Sequence, residues 1–265
     1  MRKSRVLDKL RKGDNASCFK INFKDAQATE LASIMGFDCI WVDLEHSGVD
    51  WSILSSHVWA SKAHNTDLMV RVGRGSYSDY IKPLELDATG IMVPHIMNLQ
   101  DAKDVIRMVR FHPQGRRPID GGNADGGYSI HDFGEYLETS NRERFVILQI
   151  EDPEPLDDLE AIAQLEGYDM LFFGPGDFSQ GIGKPGQWDD SFLVETRIRI
   201  AEVANKYGKF AGTVGSADNV NELLALGYHF VNLGADVIAI KEYSQKLLHA
   251  FGSQKSQPEL SAYFK

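Results

Sequence analysis

The sequence predicts an α/β fold, a single-domain (β/α)8 barrel of the TIM type over residues 1–265. Three observations carry this reading. Eight short runs rich in β-branched and aromatic residues alternate with segments of helical period. The runs are almost continuously apolar, as strands covered on both faces must be. No Pro/Gly-rich linker or low-complexity tract divides the chain, and 265 residues is an ordinary length for one such barrel. A doubly wound open sheet is the alternative, but eight units without a long insertion fit closure better.

The expected strands are 18–23, 38–44, 67–72, 90–94, 144–151, 168–173, 209–214 and 229–233. Expected helices include 25–35, ending at Gly36, 101–110, ending before Pro113, and 217–226, ending at Gly227. One phrase recurs: Met35-Gly36-Phe37-Asp38, then Leu165-Glu166-Gly167-Tyr168-Asp169, then Leu226-Gly227-Tyr228-His229. Each reads as a helix end, a glycine cap and a strand start. The one long irregular segment expected is 112–139, whose GGNADGG at 121–127 suits no regular structure. Such a segment is expected to be a lid, a binding loop or a subunit contact.

Composition narrows the function. The formal net charge of -10 argues against nucleic acid and against an anionic membrane as partners. Cys18 and Cys39 both sit in apolar runs and are expected to be reduced, buried thiols of a cytoplasmic protein. The start, MRKSRVLDKLRKGD, is basic and amphipathic but lacks the apolar stretch of a signal peptide. No run approaches the roughly 18 apolar residues of a membrane span.

In a barrel of this kind the chemistry gathers at the C-terminal ends of the strands, so the last polar residue of each strand is informative. GFDCIWVDLEH, at 36–46, leaves the core as Asp43, Glu45 and His46. The third strand carries Arg71, the fifth ends in Gln149 and Glu151, and the sixth is followed by Asp177. Glu151 and Asp177 suit a hard divalent cation, Mg²⁺ or Mn²⁺, with coordination positions left for a substrate. Taken singly, each could instead cap a helix. Gly174-Pro175-Gly176-Asp177 is a turn whose backbone N–H groups can approach an anion closely. Asp43 lies near enough to His46 to support it as a general base. Arg71 after apolar neighbours needs a carboxylate or a ligand oxygen. His95, after Pro94, is either a pocket residue or loop filler.

Together, GFDCIWVDLEH, VRV with Arg71, GIMVPHI, FHPQGRRP, ILQIED and LFFGPGD resemble the HpcH/HpaI family of class II, pyruvate-dependent aldolases. The resemblance runs from about Ala16 to VNLGAD and the helix after it. It implies a divalent metal (Mg²⁺ or Mn²⁺, with Co²⁺ a third choice) on Glu151 and Asp177. The backbone of Gly174, Pro175, Gly176 and Asp177 would hold a pyruvate carboxylate. Arg71 would meet the keto oxygen, and His46 backed by Asp43 would move protons. Gln149 would line the site, and Glu85 would help to orient His46. The implied reaction is retro-aldol cleavage of a 4-hydroxy-2-oxo acid to pyruvate and an aldehyde. Decarboxylation of an oxaloacetate-like acid and non-catalytic binding of a keto acid are the alternatives. The sixth strand offers no lysine for a Schiff base. The resemblance further implies a homo-oligomer, a hexamer or trimer of dimers, with segment 236–251 packed on a neighbour; the same apolar spacing would suit the barrel's own eighth helix. Three departures stand out: Asp87 replaces a glycine, Pro118 follows Arg117 in place of another, and GGNADGGYS fills a loop expected to shape the aldehyde end.

Overall fold

Eight parallel strands pair in chain order and close on themselves, β8 beside β1, in a computed structural model that describes residues 1–252. The elements are α1 (Arg5–Arg11), β1 (Ala16–Ile21), α2 (Ala26–Ile34), β2 (Cys39–Asp43), α3 (Trp51–Ala63), β3 (Asp67–Arg71), α4 (Tyr77–Glu85), β4 (Gly90–Val93) and α5 (Leu99–Val109). They continue with α6 (Phe133–Glu143), β5 (Phe145–Ile150), α7 (Leu159–Ala163), β6 (Met170–Phe173), α8 (Pro175–Gly181), α9 (Ser191–Lys206), β7 (Phe210–Val214), α10 (Val220–Ala225), β8 (Phe230–Ala235) and α11 (Asp236–Ala250). Every expected strand is present. Gly36, Gly167 and Gly227 of the recurring phrase adopt φ of 101°, 94° and 92°, the left-handed turn that lets the chain reverse into a strand. The long irregular segment is shorter than the sequence suggested. Asp132 accepts from the N–H groups of Gly134 (2.8 Å) and Glu135 (3.4 Å), and so starts α6 at Phe133.

Alternation along the strands builds two cores. Outward residues such as Val42, Leu68, Val70, Ile91, Leu148 and Phe173 pack under the helices. Inward residues Cys18, Cys39, Trp41, Met69, Met92, Phe145, Ile147, Met170, Phe172 and Phe230 fill the barrel, and α1 closes its N-terminal end with Val6, Leu7 and Leu10. Burying each large apolar side chain contributes about 1.5–3 kcal/mol, so the barrel is a filled platform, not a pore.

The N-terminal face is held by ions. Arg144, fully buried just before β5, donates to Asp87 and, at 2.8 Å, to Asp125. Asp125 also takes Arg117 at 3.1 Å and the Tyr136 hydroxyl at 3.1 Å. Asp87 sits at φ 73°, the left-handed region where glycine is favoured. Its carboxylate is gripped by Arg144 and Lys62, which offsets the strain and accounts for an acid at that turn.

The eighth helix departs from a closed barrel's pattern. Of α11, only Asp236 is buried, its carboxylate receiving the N–H groups of Asn22 (2.9 Å) and Phe23 (2.9 Å). Val237, Ile238, Ile240, Tyr243 and Leu247 are exposed. Beside the helix's first turns, an apolar groove of about 270 Å³ lies over β1 and α2, lined by Phe19, Phe23, Leu31, Met35 and Phe37 among others.

Candidate active site

Parallel pairing of β2 with β3 puts Asp43 directly beside Arg71 at the rim. Asp43 is fully buried, and Arg71 is bidentate on it, Nε to Oδ1 at 3.0 Å and Nη2 to Oδ2 at 2.6 Å. From β1, Lys20 Nζ reaches the same Oδ2 at 2.7 Å and lies 4.7 Å over the Trp41 ring. Burial alone would raise the Asp43 carboxyl; the Arg71 and Lys20 cations outweigh it and hold the carboxyl at about 2. Glu45 Oε2 lies 3.2 Å from Arg71 Nε. Among the described residues, Arg71 Nη1 has no protein hydrogen bond, which leaves that donor for a ligand oxygen.

Two strands further round the rim, β5 ends in Gln149 and Glu151. Glu151 is buried; its Oε1 accepts from the His95 backbone N–H at 3.1 Å and its Oε2 from the Gln149 amide. Neither oxygen caps a helix. Gly174 lets these groups approach, since a Cβ there would stand 2.6 Å from Glu151 Oε2 and 2.8 Å from Gln149 Nε2. Burial pushes the Glu151 carboxyl up to about 7, against the pull of His95 and Arg71. Asp177, in the first turn of α8 whose cap is Gly174, adds a second negative charge.

Among the described residues, one ligand atom from each of His95, Glu151 and Asp177 falls within 4.8 Å of the others. The His95 ring is oriented by Asp152, 2.8 Å from Nδ1, with Nε2 3.8 Å from Glu151 Oε1. The donor set suits a dication on two grounds. Glu151 is a buried carboxyl short of positive charge, and the buried Oε1 of Gln149 and Oε2 of Glu45 lack hydrogen-bond donors.

Most residues singled out in the sequence meet at this rim: Asp43, Arg71, Gln149, Glu151 and the Gly174–Asp177 turn. Two stand elsewhere than expected. The Asp43 carboxylate does not support the ring of His46. The chain turns back after β2, so Asp43 Oδ1 accepts the backbone N–H groups of Glu45 (3.1 Å) and His46 (3.5 Å). The His46 imidazole, over half exposed, has Glu45 as its neighbour, Nε2 to Oε2 at 3.6 Å. Glu85 does not reach His46 either. A helix that follows a strand runs back from the rim, so Glu85, the last residue of α4, lies at the far end, facing Arg117, Asp120, Asp125 and Lys82. The 119–130 loop lies there too: the Asp125 N–H meets the Glu85 carbonyl at 3.4 Å and its side chain meets Arg144 at the foot of β5. Asn123, Ala124 and Tyr128 of this loop line a pocket of about 420 Å³ together with Trp51, Lys82 and Glu85.

Lys20 was missed in the sequence and the place of His95 left open. Lys20 is the last inward residue of β1, and the strand-end test applied to the first strand would have found it.

Comparison with known proteins bears on this arrangement. A family model described as HpcH/HpaI aldolase/citrate lyase matches residues 17–242. The 2-keto-3-deoxy-L-rhamnonate aldolase of Escherichia coli (strain K12) is 26% identical over 261 residues, 97% of this chain and 96% of that protein. The crystal structure of citrate synthase SbnG superposes with a TM-score of 0.86 at 26% identity, covering 96% of this chain and 99% of that one. An HpcH/HpaI aldolase from Desulfitobacterium hafniense DCB-2 shares the fold, with a TM-score of 0.88 at 21% identity over 95% of this chain and 98% of its own.

Proposed function

The chain belongs to the HpcH/HpaI aldolase/citrate lyase family, and from that membership we propose a divalent-metal-dependent lyase that cleaves a 4-hydroxy-2-oxo acid to pyruvate and an aldehyde, reversibly. The observation that carries the reading is the buried Glu151, undersupplied with positive charge, beside Asp177 and His95 and across one rim from the Arg71–Asp43 pair.

Glu151 and Asp177 would hold Mg²⁺, Mn²⁺ or Co²⁺, with His95 Nε2 within reach. Such a cation supplies Lewis-acid stabilisation of the negative charge that spreads onto the keto oxygen as the C3–C4 bond opens. The chain's own residues do the rest. Arg71, locked by Asp43, aims its unpaired Nη1 at the same oxygen and gives it a fixed cation that needs no reorganisation. The backbone N–H groups of Gly176 and Asp177, in the first turn of α8, receive the substrate carboxylate; that of Gly174 already donates to the Ile150 carbonyl at 3.0 Å. His46, beside Glu45 at the open edge, takes the C4 hydroxyl proton on cleavage and returns it on condensation. Gln149 steadies the Glu151 carboxylate.

Chelation is expected to abolish pyruvate release from 4-hydroxy-2-oxo acids, and Mg²⁺, Mn²⁺ or Co²⁺ to restore it. A chelated protein with full turnover would sink the metal assignment, and better turnover of oxaloacetate would name a decarboxylase instead. The same cation should stabilise the fold in a pH-dependent way. Glu151 has its folded pKa raised to about 7, so metal-free stability is fullest below the ordinary carboxyl range and is lost as pH rises to about 7. The rise in Tm on adding Mn²⁺ should therefore be larger at pH 8 than at pH 5; equal rises would contradict it.

The exposed apolar face of α11, next to an apolar groove on its own barrel, supports exchange of this helix between copies in a homo-oligomer, a hexamer or trimer of dimers. Light scattering should give a mass several times that of one chain, and a monomer at micromolar concentration would refute it. Two free, buried cysteines support a cytoplasmic location. No helix among the described residues is long and apolar enough to cross a membrane.

A further inference from the structure

We propose that His95 is a nitrogen ligand of the cation assigned to Glu151 and Asp177, and that it makes the centre selective for a later first-row dication, Co²⁺ before Mn²⁺ and Mn²⁺ before Mg²⁺. The inference rests on the lyase reading above for the presence of a cation and adds the chemical class of that cation.

Position comes first. His95 lies two residues beyond β4, on the strand's C-terminal side, and β4 pairs with β5. Its backbone N–H donates to Glu151 Oε1 at 3.1 Å, and its ring Nδ1 meets Asp152 Oδ2 at 2.8 Å. Two consecutive acids at the end of β5 thus hold one histidine, the first by its backbone and the second by its ring. His95 sits at φ 50°, in the left-handed region that few residues with a Cβ enter. Such a backbone persists only where the surroundings enforce it, and the two carboxylate contacts do so. Loop filler would need neither.

Chemistry comes second. With the Nδ1 proton given to Asp152, the other ring nitrogen, Nε2, is left for a proton or a metal ion. It faces carboxylate oxygens, Glu151 Oε1 and Glu45 Oε1, each at 3.8 Å. Both distances are too long for a hydrogen bond. An oxygen of Asp177 completes a set of ligand atoms with His95 and Glu151 in which all lie within 4.8 Å of one another. Donor atoms that converge without touching leave room for an ion among them. Glu45 is turned toward Arg71 instead, its Oε2 3.2 Å from Nε, so His95 is the third donor beside the two acids. A carboxylate behind the imidazole is the usual support of a metal-bound histidine, because it fixes the nitrogen that keeps the proton. Two carboxylates alone form an oxygen site that Mg²⁺ and Mn²⁺ share. A nitrogen donor changes that preference: Mg²⁺ favours oxygen and gives up water reluctantly, whereas affinity for a mixed site rises from Mn²⁺ to Co²⁺.

The test is metal binding to the full-length protein, without substrate. Titration calorimetry should show wild type taking Co²⁺ at least about 100-fold more tightly than Mg²⁺, and His95→Phe should cut that ratio by at least about tenfold. Electron spin-echo spectra of the Mn²⁺-loaded protein should show coupling to an imidazole nitrogen in wild type and none in His95→Phe. His95→Gln, which offers an oxygen where the nitrogen was, gives the same reading should His95→Phe fail to fold. Bound Mn²⁺ without nitrogen coupling, coupling that survives in the variants, or an unchanged Co²⁺-to-Mg²⁺ ratio overturns the proposal and leaves the lyase reading standing. Wild type that binds none of the three ions overturns the metal assignment itself, and the role of His95 with it.

Discussion

Glu151→Gln should lower kcat/KM for pyruvate formation by at least about a thousandfold, some 4 kcal/mol of transition-state stabilisation, while leaving the fold intact or firmer. The two side chains have one shape, so packing beside Gly174 and Gln149 is preserved. What goes is the charge that makes the His95–Glu151–Asp177 cluster attractive to a dication. Burial already disfavours that charge in the metal-free protein, pushing the carboxyl up to about 7. A raised carboxyl removes stability as pH climbs from the ordinary range to about 7, so at pH 8 the metal-free glutamine variant should melt no lower than wild type. Pyruvate-release kinetics and thermal melts, with and without Mn²⁺, check both halves. Wild-type turnover in this variant would remove Glu151 from the mechanism.

Arg71→Ala should lose both activity and stability. Asp43 is fully buried and would keep only Lys20 as a cationic partner. Breaking a buried pair from one side costs about 3–5 kcal/mol, because the remaining charge stays desolvated. The loss should shrink below the ordinary aspartate range as pH falls towards about 2, where Asp43 becomes protonated in the folded protein as well. Activity should fall about 10²–10³-fold with the fixed cation gone. Arg71→Lys should not restore it, since an ammonium cannot grip Asp43 through two parallel bonds and still present a third donor. Denaturant melts and kcat/KM of both variants test this, and a lysine variant with wild-type rates would refute the role given to the guanidinium fork.

These contrasting outcomes follow from different levels of organisation. The barrel was legible because a strand covered on both faces must be almost wholly apolar, as the runs CIWV, LMV and FVIL are, and glycine must follow a helix that turns back sharply. The acidic side of the rim was legible for the same reason. A carboxylate closing an apolar strand has left the core, which singled out Glu151, and Asp177 one turn beyond the next strand. The 112–139 segment was misjudged because its run of glycines hid the Asp132 cap that starts α6.

Chain order alone determined the closed barrel, the rim that carries chemistry and the acids at its β5–β6 side. Only the folded chain decided which groups pair across that rim. Asp43 belongs to Arg71 and Lys20 and not to the ring of His46; Glu85 is carried to the opposite end by the length of α4; His95 is brought to Glu151; and α11 stands off its own barrel. Apolar alternation is a local property of backbone geometry and can be read one strand at a time. A hydrogen bond or ion pair depends on register between strands and on the direction of each side chain, and those exist only once the ring has closed.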